Sequence, residues 1–162
     1  MAAAAITIGG KVRRALIPAL INAINNQDLE QEWGIPLVEM QDEADILQHK
    51  QDEKHLVFCD SGPPWGSFDD LEKFLVENGI AFNRHTSPEG GYNGETVWFR
   101  SEMDMSQWVI SDDDGNIAVC IEDVQKVRDL LAGGAVDSAL TMVNSICRTA
   151  ELPVLEKFQI ID

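Results

Sequence analysis

Cys59 and Asp60 sit side by side at the end of the apolar run "HLVF", and a loop, "SGPPWG", follows them. A thiol and a carboxylate at a strand tip are the raw material of nucleophilic catalysis, which needs a base within reach and a lowered thiol pKa. His55 is the nearest imidazole in sequence. Four residues along one strand it stands roughly 13 Å away, at about 3.3 Å per residue. His49 and His85 would have to arrive through tertiary folding. A free cysteine closing a buried strand behaves as a small hydrophobe, and Asp60-Ser61-Gly62 reads as an Asx turn. No catalytic residue is assigned. Two readings of Trp65 stand side by side. Folded back, the indole is a lid over the core; held out by Pro63, Pro64 and Gly66, it is an anchor for a protein partner.

Three further motifs approach known chemistry and depart from it. "SDDDGN" (111–116) suggests a calcium loop starting at Asp112, but Gly115 falls at the fourth position and Ile117 occupies the sixth, where the EF-hand needs glycine; it reads as a charged hairpin tip. "ITIGGKVRR" has a strand, two glycines and three cations but neither phosphate-binding glycine pattern. His49, His55 and His85 share no ligand spacing with one another or with Cys59, Cys120 and Cys147. No metal and no cofactor is therefore expected. The rival to a binding role is an anion or substrate site at strand ends, where Arg84 and Arg100 would converge near Asp60 and His85.

Charge is the strongest signal. Of 162 residues, 12 are Lys or Arg and 28 are Asp or Glu, a net of −16. Such a chain cannot cover a broad face with the clustered cations that neutralise nucleic-acid phosphates, and an anionic membrane repels it. It attracts basic proteins over about 8 Å at physiological salt. The acids concentrate. Residues 28–72 hold thirteen against Lys50 and Lys54, and residues 101–125 hold seven against none. Asp42, Glu43, Asp45, Glu102, Asp104, Asp112, Asp113 and Asp114, with Trp65, are the candidate partner-binding residues. Carboxylates spaced along a helix or hairpin can imitate nucleic-acid phosphates and occupy another protein's basic groove. Bland solvation of an exposed face competes with that reading.

The elements that must position these residues follow from periodicity. "AAITI", "KHLVFC", "IAFNRHT" and "ETVWFRS" read as strands, the last two as a hairpin around "SPEGGYNG". "QWVISDDDGNIAVCI" reads as a second hairpin. Pro18 places a kink or a helix start near Ile17. Leu37, Met40, Ala44 and Leu47 predict a helix whose other face carries Glu39, Asp42, Glu43 and Asp45. "SFDDLEKFLVENGI" predicts a helix capped by Ser67 with Asp70 in a capping box and stopped at Asn78-Gly79. Ile121, Val124, Val127 and Leu131, then Val136, Leu140, Val143 and Cys147, predict two helices paired across Gly133-Gly134. "LPVLEKFQIID" reads as a closing edge strand. The expectation is one α+β domain over 1–162 (mixed α/β being the alternative), with one sheet of four to six strands, two hairpins and about four helices.

Residues 66–103 carry "LExFLxENGI", a strand with "FxR", a loop with Tyr92 and a strand ending "FR". This stretch, about a quarter of the chain, resembles small proteins of phage and plasmid genomes that have no assigned activity. The resemblance implies a mobile-element accessory protein in a bacterial cytoplasm and no catalytic residue. Three scattered cysteines without a C-x-x-C pair suit a reducing compartment. "MAAAAITIGGKVRR" is too short and wrongly flanked for a secretory signal, and no stretch approaches the ~20 apolar residues of a membrane span. The combined expectation is a non-enzymatic protein-binding module, with a homo-oligomer through Trp65 or Trp108 as a further role.

Overall fold

The computed structural model describes residues 2–51, 54–91 and 93–162. In chain order the strands are β1 (Ala4–Ile8), β2 (Lys11–Arg13), β3 (Glu30–Glu32), β4 (Ile35–Pro36), β5 (Lys50–Gln51), β6 (His55–Asp60), β7 (Phe82–Thr86), β8 (Gly94–Phe99), β9 (Gln107–Ser111) and β10 (Gln159–Ile161). The helices are α1 (Ile17–Asn25), α2 (Glu43–Gln48), α3 (Asp69–Glu77), α4 (Ile121–Ala132) and α5 (Val136–Ala150). The chain is α+β. Its sheet has the order β4-β3-β6-β1-β7-β8-β9 with β5 also on β6, more strands than the four to six expected. All neighbours in it are antiparallel. β10 lies outside it, parallel to β2.

Alternation decides what each face buries. Ile6 stands opposite Phe58 on one side and Arg84 on the other, and Arg84 opposite Val97. Opposed residues share a face, so Ala4, Ile6, Ile8, Leu56, Phe58, Phe82, Val97 and Phe99 line one apolar wall. Ile17, Leu20 and Ile24 of α1, with Phe68, Leu71 and Leu75 before and within α3, complete that core. α1 starts at Ile17 because Pro18 fits a first turn, where its missing N–H costs nothing.

Three predicted details resolve differently. The predicted helix around residues 37–47 shrinks to α2. Met40 is buried ahead of it, held by its backbone to the Asn25 side chain at 2.8 and 3.0 Å. The capping box appears here rather than on α3. Asp42 Oδ1 accepts from the Ala44 and Asp45 amides at 2.8 and 3.2 Å, and Asp45 Oδ2 accepts from the Asp42 amide at 3.3 Å. At α3 the Ser67 hydroxyl donates back to Pro64 O at 3.2 Å, and Glu72 takes the Phe68 amide at 3.0 Å. The second hairpin closes only through an isolated bridge between Ser111 and Ile117, because the chain turns away toward α4.

Candidate partner-binding site

The first rung of the sheet aligns Asp60, Ala4, Thr86 and Glu95, and the loop after β6 folds over that end. Asp60 Oδ1 accepts from the Gly62 amide at 2.8 Å, the Asx turn read from the sequence. Pro63 is buried, and a single 3₁₀ turn, Pro64–Gly66, follows. Within it Trp65 has φ 58°, in the left-handed region a bulky side chain rarely enters. Gly66 (φ 72°) is packed so closely on the sheet that a Cβ there would lie 2.2 Å from Thr86 Cγ2. Its carbonyl accepts from Arg84 Nη1 at 2.7 Å and Thr86 Oγ1 at 2.6 Å. The loop is therefore pinned on both sides of Trp65 while the indole points out, 92% exposed. The lid reading is overturned: Gly66, not the tryptophan, makes the contact with the sheet.

Arg84 is the pin. It is 4% exposed, yet it stands on the core face between Phe82 and Thr86. Nη2 meets Glu95 Oε1 at 2.5 Å, Nη1 also donates to Thr86 Oγ1, and Nε lies 2.8 Å from Glu72 Oε1. The Nε contact is one of charge only: its N–H is not aligned on the oxygen, which takes the Phe68 amide instead. The sequence hides this cluster. Period-two alternation puts Arg84 inward, but its partners come from α3 and β8. Above it opens a cavity of about 440 Å³, lined by Pro63, Trp65, Thr86, Ser87, Glu89 and Glu95 among others.

The candidate acids are distributed over three places. Ser111 pairs with Gly94 at the Thr86 end of the sheet, so the turn holding Asp112, Asp113 and Asp114 lies at the same end as Trp65. Asp112 is engaged in its own turn. Its carboxylate accepts from the Asn116 side chain at 3.0 Å and from the Asn116 and Asp114 amides at 2.8 and 3.0 Å, which holds it below the usual carboxylate range, the Asn116 side chain contributing most. Asp113 and Asp114 are exposed. Glu102 and Asp104 follow Phe99, which is opposite Phe82 at the far end of the strands. Asp42 and Asp45 cap α2, and Glu43 lies 3.3 Å from Arg14. The structure thus brings Trp65 and Asp112–Asp114 to one end and leaves the other five elsewhere. Asp52, Glu53 and the Tyr92 of the phage-like pattern lie outside the described residues.

The strand-end residues do not assemble an anion site. Arg100 donates from Nη1 to Phe82 O and Phe99 O at 2.9 and 2.8 Å, from Nη2 to Asn83 Oδ1 at 2.9 Å and to Pro153 O, and from Nε to Val154 O at 3.1 Å. Burial pushes its pKa down, with Glu102 opposing. Arg84 and Arg100 therefore serve different ends of β7 and do not converge. His85 turns to the second face, near Thr96 Oγ1, Ser111 Oγ and Asp113 O at 3.3–3.4 Å. Cys59 is buried and donates to Glu30 O at 3.6 Å. Burial first, then the charges of Glu30, Asp60 and Glu32, push its thiol up to about 11, the opposite of what a nucleophile needs. Among the described residues no three His, Cys, Asp or Glu side chains gather as a metal site, and no helix is long and apolar enough to cross a membrane.

No protein-family model, curated protein or solved structure matches the chain.

Proposed function

We propose that this protein is a non-enzymatic binding module that docks a protein with a basic surface through Trp65 and the carboxylates around it. The observation that carries the reading is the fully presented indole of Trp65, held at φ 58° between a buried proline and a glycine packed on the sheet. Strained, over-determined backbone persists where the surroundings enforce it, and it clusters at binding sites. A tryptophan exposed to water gains most from a partner's pocket, and such residues dominate interface energies. Asp113 and Asp114 at the same end, on a chain of net −16, steer a cationic partner and fix its orientation.

A partner of that chemistry is a nucleic-acid-binding protein whose groove is built for phosphates. In the mobile-element setting suggested by residues 66–103, it is a restriction or CRISPR-type defence component in the bacterial cytoplasm. The carboxylates then stand where phosphates would, and Trp65 supplies the apolar contact that charge alone lacks. The test is affinity capture from bacterial lysate with the native chain, Trp65→Ala, and the pair Asp113→Asn with Asp114→Asn. One protein held by the native chain, released by salt, lost with both variants and blocked from binding nucleic acid fits the proposal. Capture indifferent to salt and to both variants removes it.

A further inference from the structure

Helix α5 (Val136–Ala150) carries an apolar row at Val136, Leu140, Val143 and Cys147. The intervals are four, three and four residues. That alternation lays side chains along one narrow seam and is the repeat by which helices pair in coiled coils. A different face of the helix turns inward: Ala139 is 2% exposed, and Met142 and Ile146 are half-buried. The seam itself is open, with Val136 at 59%, Leu140 at 58% and Val143 at 37%, and Cys147 exposed. α5 thus has two apolar faces, and the hairpin with α4 covers only one. Ile121, Val124 and Leu131 of α4 are exposed as well, so the hairpin leaves more apolar surface in water than scattered surface residues account for.

Charge identifies what fits there. A −16 chain meets a copy of itself with repulsion over most of its surface. α5 escapes that repulsion, because Asp137 and Arg148 are its only charged residues and they cancel. They also sit in its first and last turns. Two α5 helices packed antiparallel about a two-fold axis place Val136 against Cys147 of the second copy and Leu140 against its Val143. The same arrangement lays the turn of Asp137 beside the turn of Arg148 and pairs the helix dipoles head to tail. A cationic partner finds nothing to pair with on this seam and is drawn to the carboxylates elsewhere.

We propose that the chain self-associates as a two-fold dimer through an antiparallel α5–α5 seam of Val136, Leu140, Val143 and Cys147. The interface is independent of Trp65 and its acids. Sedimentation of the full chain over a wide concentration range should show a species of twice the 17.9 kDa chain mass. Leu140→Glu, which puts a charge into the apolar seam, should raise the dissociation constant at least about a hundredfold. Because Leu140 faces solvent in the single chain, circular dichroism should stay the same, and the variant's thermal midpoint should match that of the native chain at concentrations where the native chain is dissociated. In Val136→Cys, a copper–phenanthroline oxidant should link the introduced thiol to Cys147 of the other copy. A monomer at every concentration overturns the proposal and leaves the seam to a different kind of partner. A dimer insensitive to both Leu140→Glu and Val143→Glu also overturns it, as does a link joining Cys147 only to Cys147.

Discussion

Arg84 holds a buried positive charge within 3 Å of Glu72 and Glu95 and closes the loop that carries Trp65. Arg84→Leu leaves two carboxylates facing a desolvated site, so it should cost about 3–5 kcal/mol, the penalty of breaking a buried pair rather than the worth of the pair. Urea unfolding measures it, as a lower midpoint at unchanged slope. Cys59, on the other face of the sheet, shows burial acting on a neutral group. In the folded chain Cys120 should react with a thiol-specific disulfide reagent, and Cys147 should do so in dilute, dissociated chain, while Cys59 stays silent until unfolding. Its folded pKa is raised, so its contribution to stability is whole below pH 9 and is lost as pH rises toward about 11. Cys59→Ala should flatten that alkaline limb; an unchanged limb assigns it to other groups.

At the scale of elements, the loop 61–67 and helix α2 carry side chains whose roles differ from their appearance in sequence. Gly66→Ala meets both a positive φ and a Cβ clash with Thr86, and should lower stability by about 1–3 kcal/mol. Trp65→Ala removes no core contact and should leave the urea midpoint within about 0.5 kcal/mol while abolishing partner capture; a large loss of stability would return Trp65 to a structural role. Asp42→Ala should cost about 1 kcal/mol through the lost cap of α2, whereas Ser67→Ala, at the cap predicted for α3, should cost less. The sequence predicted a capping box and put it on the wrong helix. Asp42-x-x-Asp45 and Ser67-x-x-Asp70 have equal spacing, but α3 starts one residue later than the box requires, with Phe68 at its N-cap, and the Ser67 hydroxyl turns back to Pro64.

Across the whole molecule the −16 charge acts on stability and on binding with opposite signs. Added salt screens self-repulsion and should raise the thermal midpoint, yet weaken association with a basic partner. Acid has its own signature. Glu30, held by the Gly34 amide and the Ser61 hydroxyl, and Asp112, held by Asn116, both titrate below the usual carboxylate range. A depressed folded pKa gives stability that is whole above the ordinary range and lost as pH falls through the depressed values. Glu30→Gln and Asp112→Asn should each make the acid limb of a stability–pH profile shallower, and an unchanged limb would show that these hydrogen bonds do not survive in solution.

The sequence by itself determined the α+β class, the strands β1, β6, β7 and β8, the interruption at Pro18, the turn at Asp60 and the net charge of −16. Each of these follows from neighbours in the chain: period-two or helical alternation, a proline in a helical pattern, a simple count of ionised groups. Tertiary structure decided where the side chains end up relative to one another. It separated Glu102 and Asp104 from Asp112–Asp114 by the length of a strand, sent Arg84 and Arg100 to different backbones, and turned Trp65 and the α5 row outward. Such outcomes depend on pairings between β6, β1, β7 and β8 and on which helix face the core can accept. Contacts between residues far apart in sequence set both, and local periodicity carries no record of them.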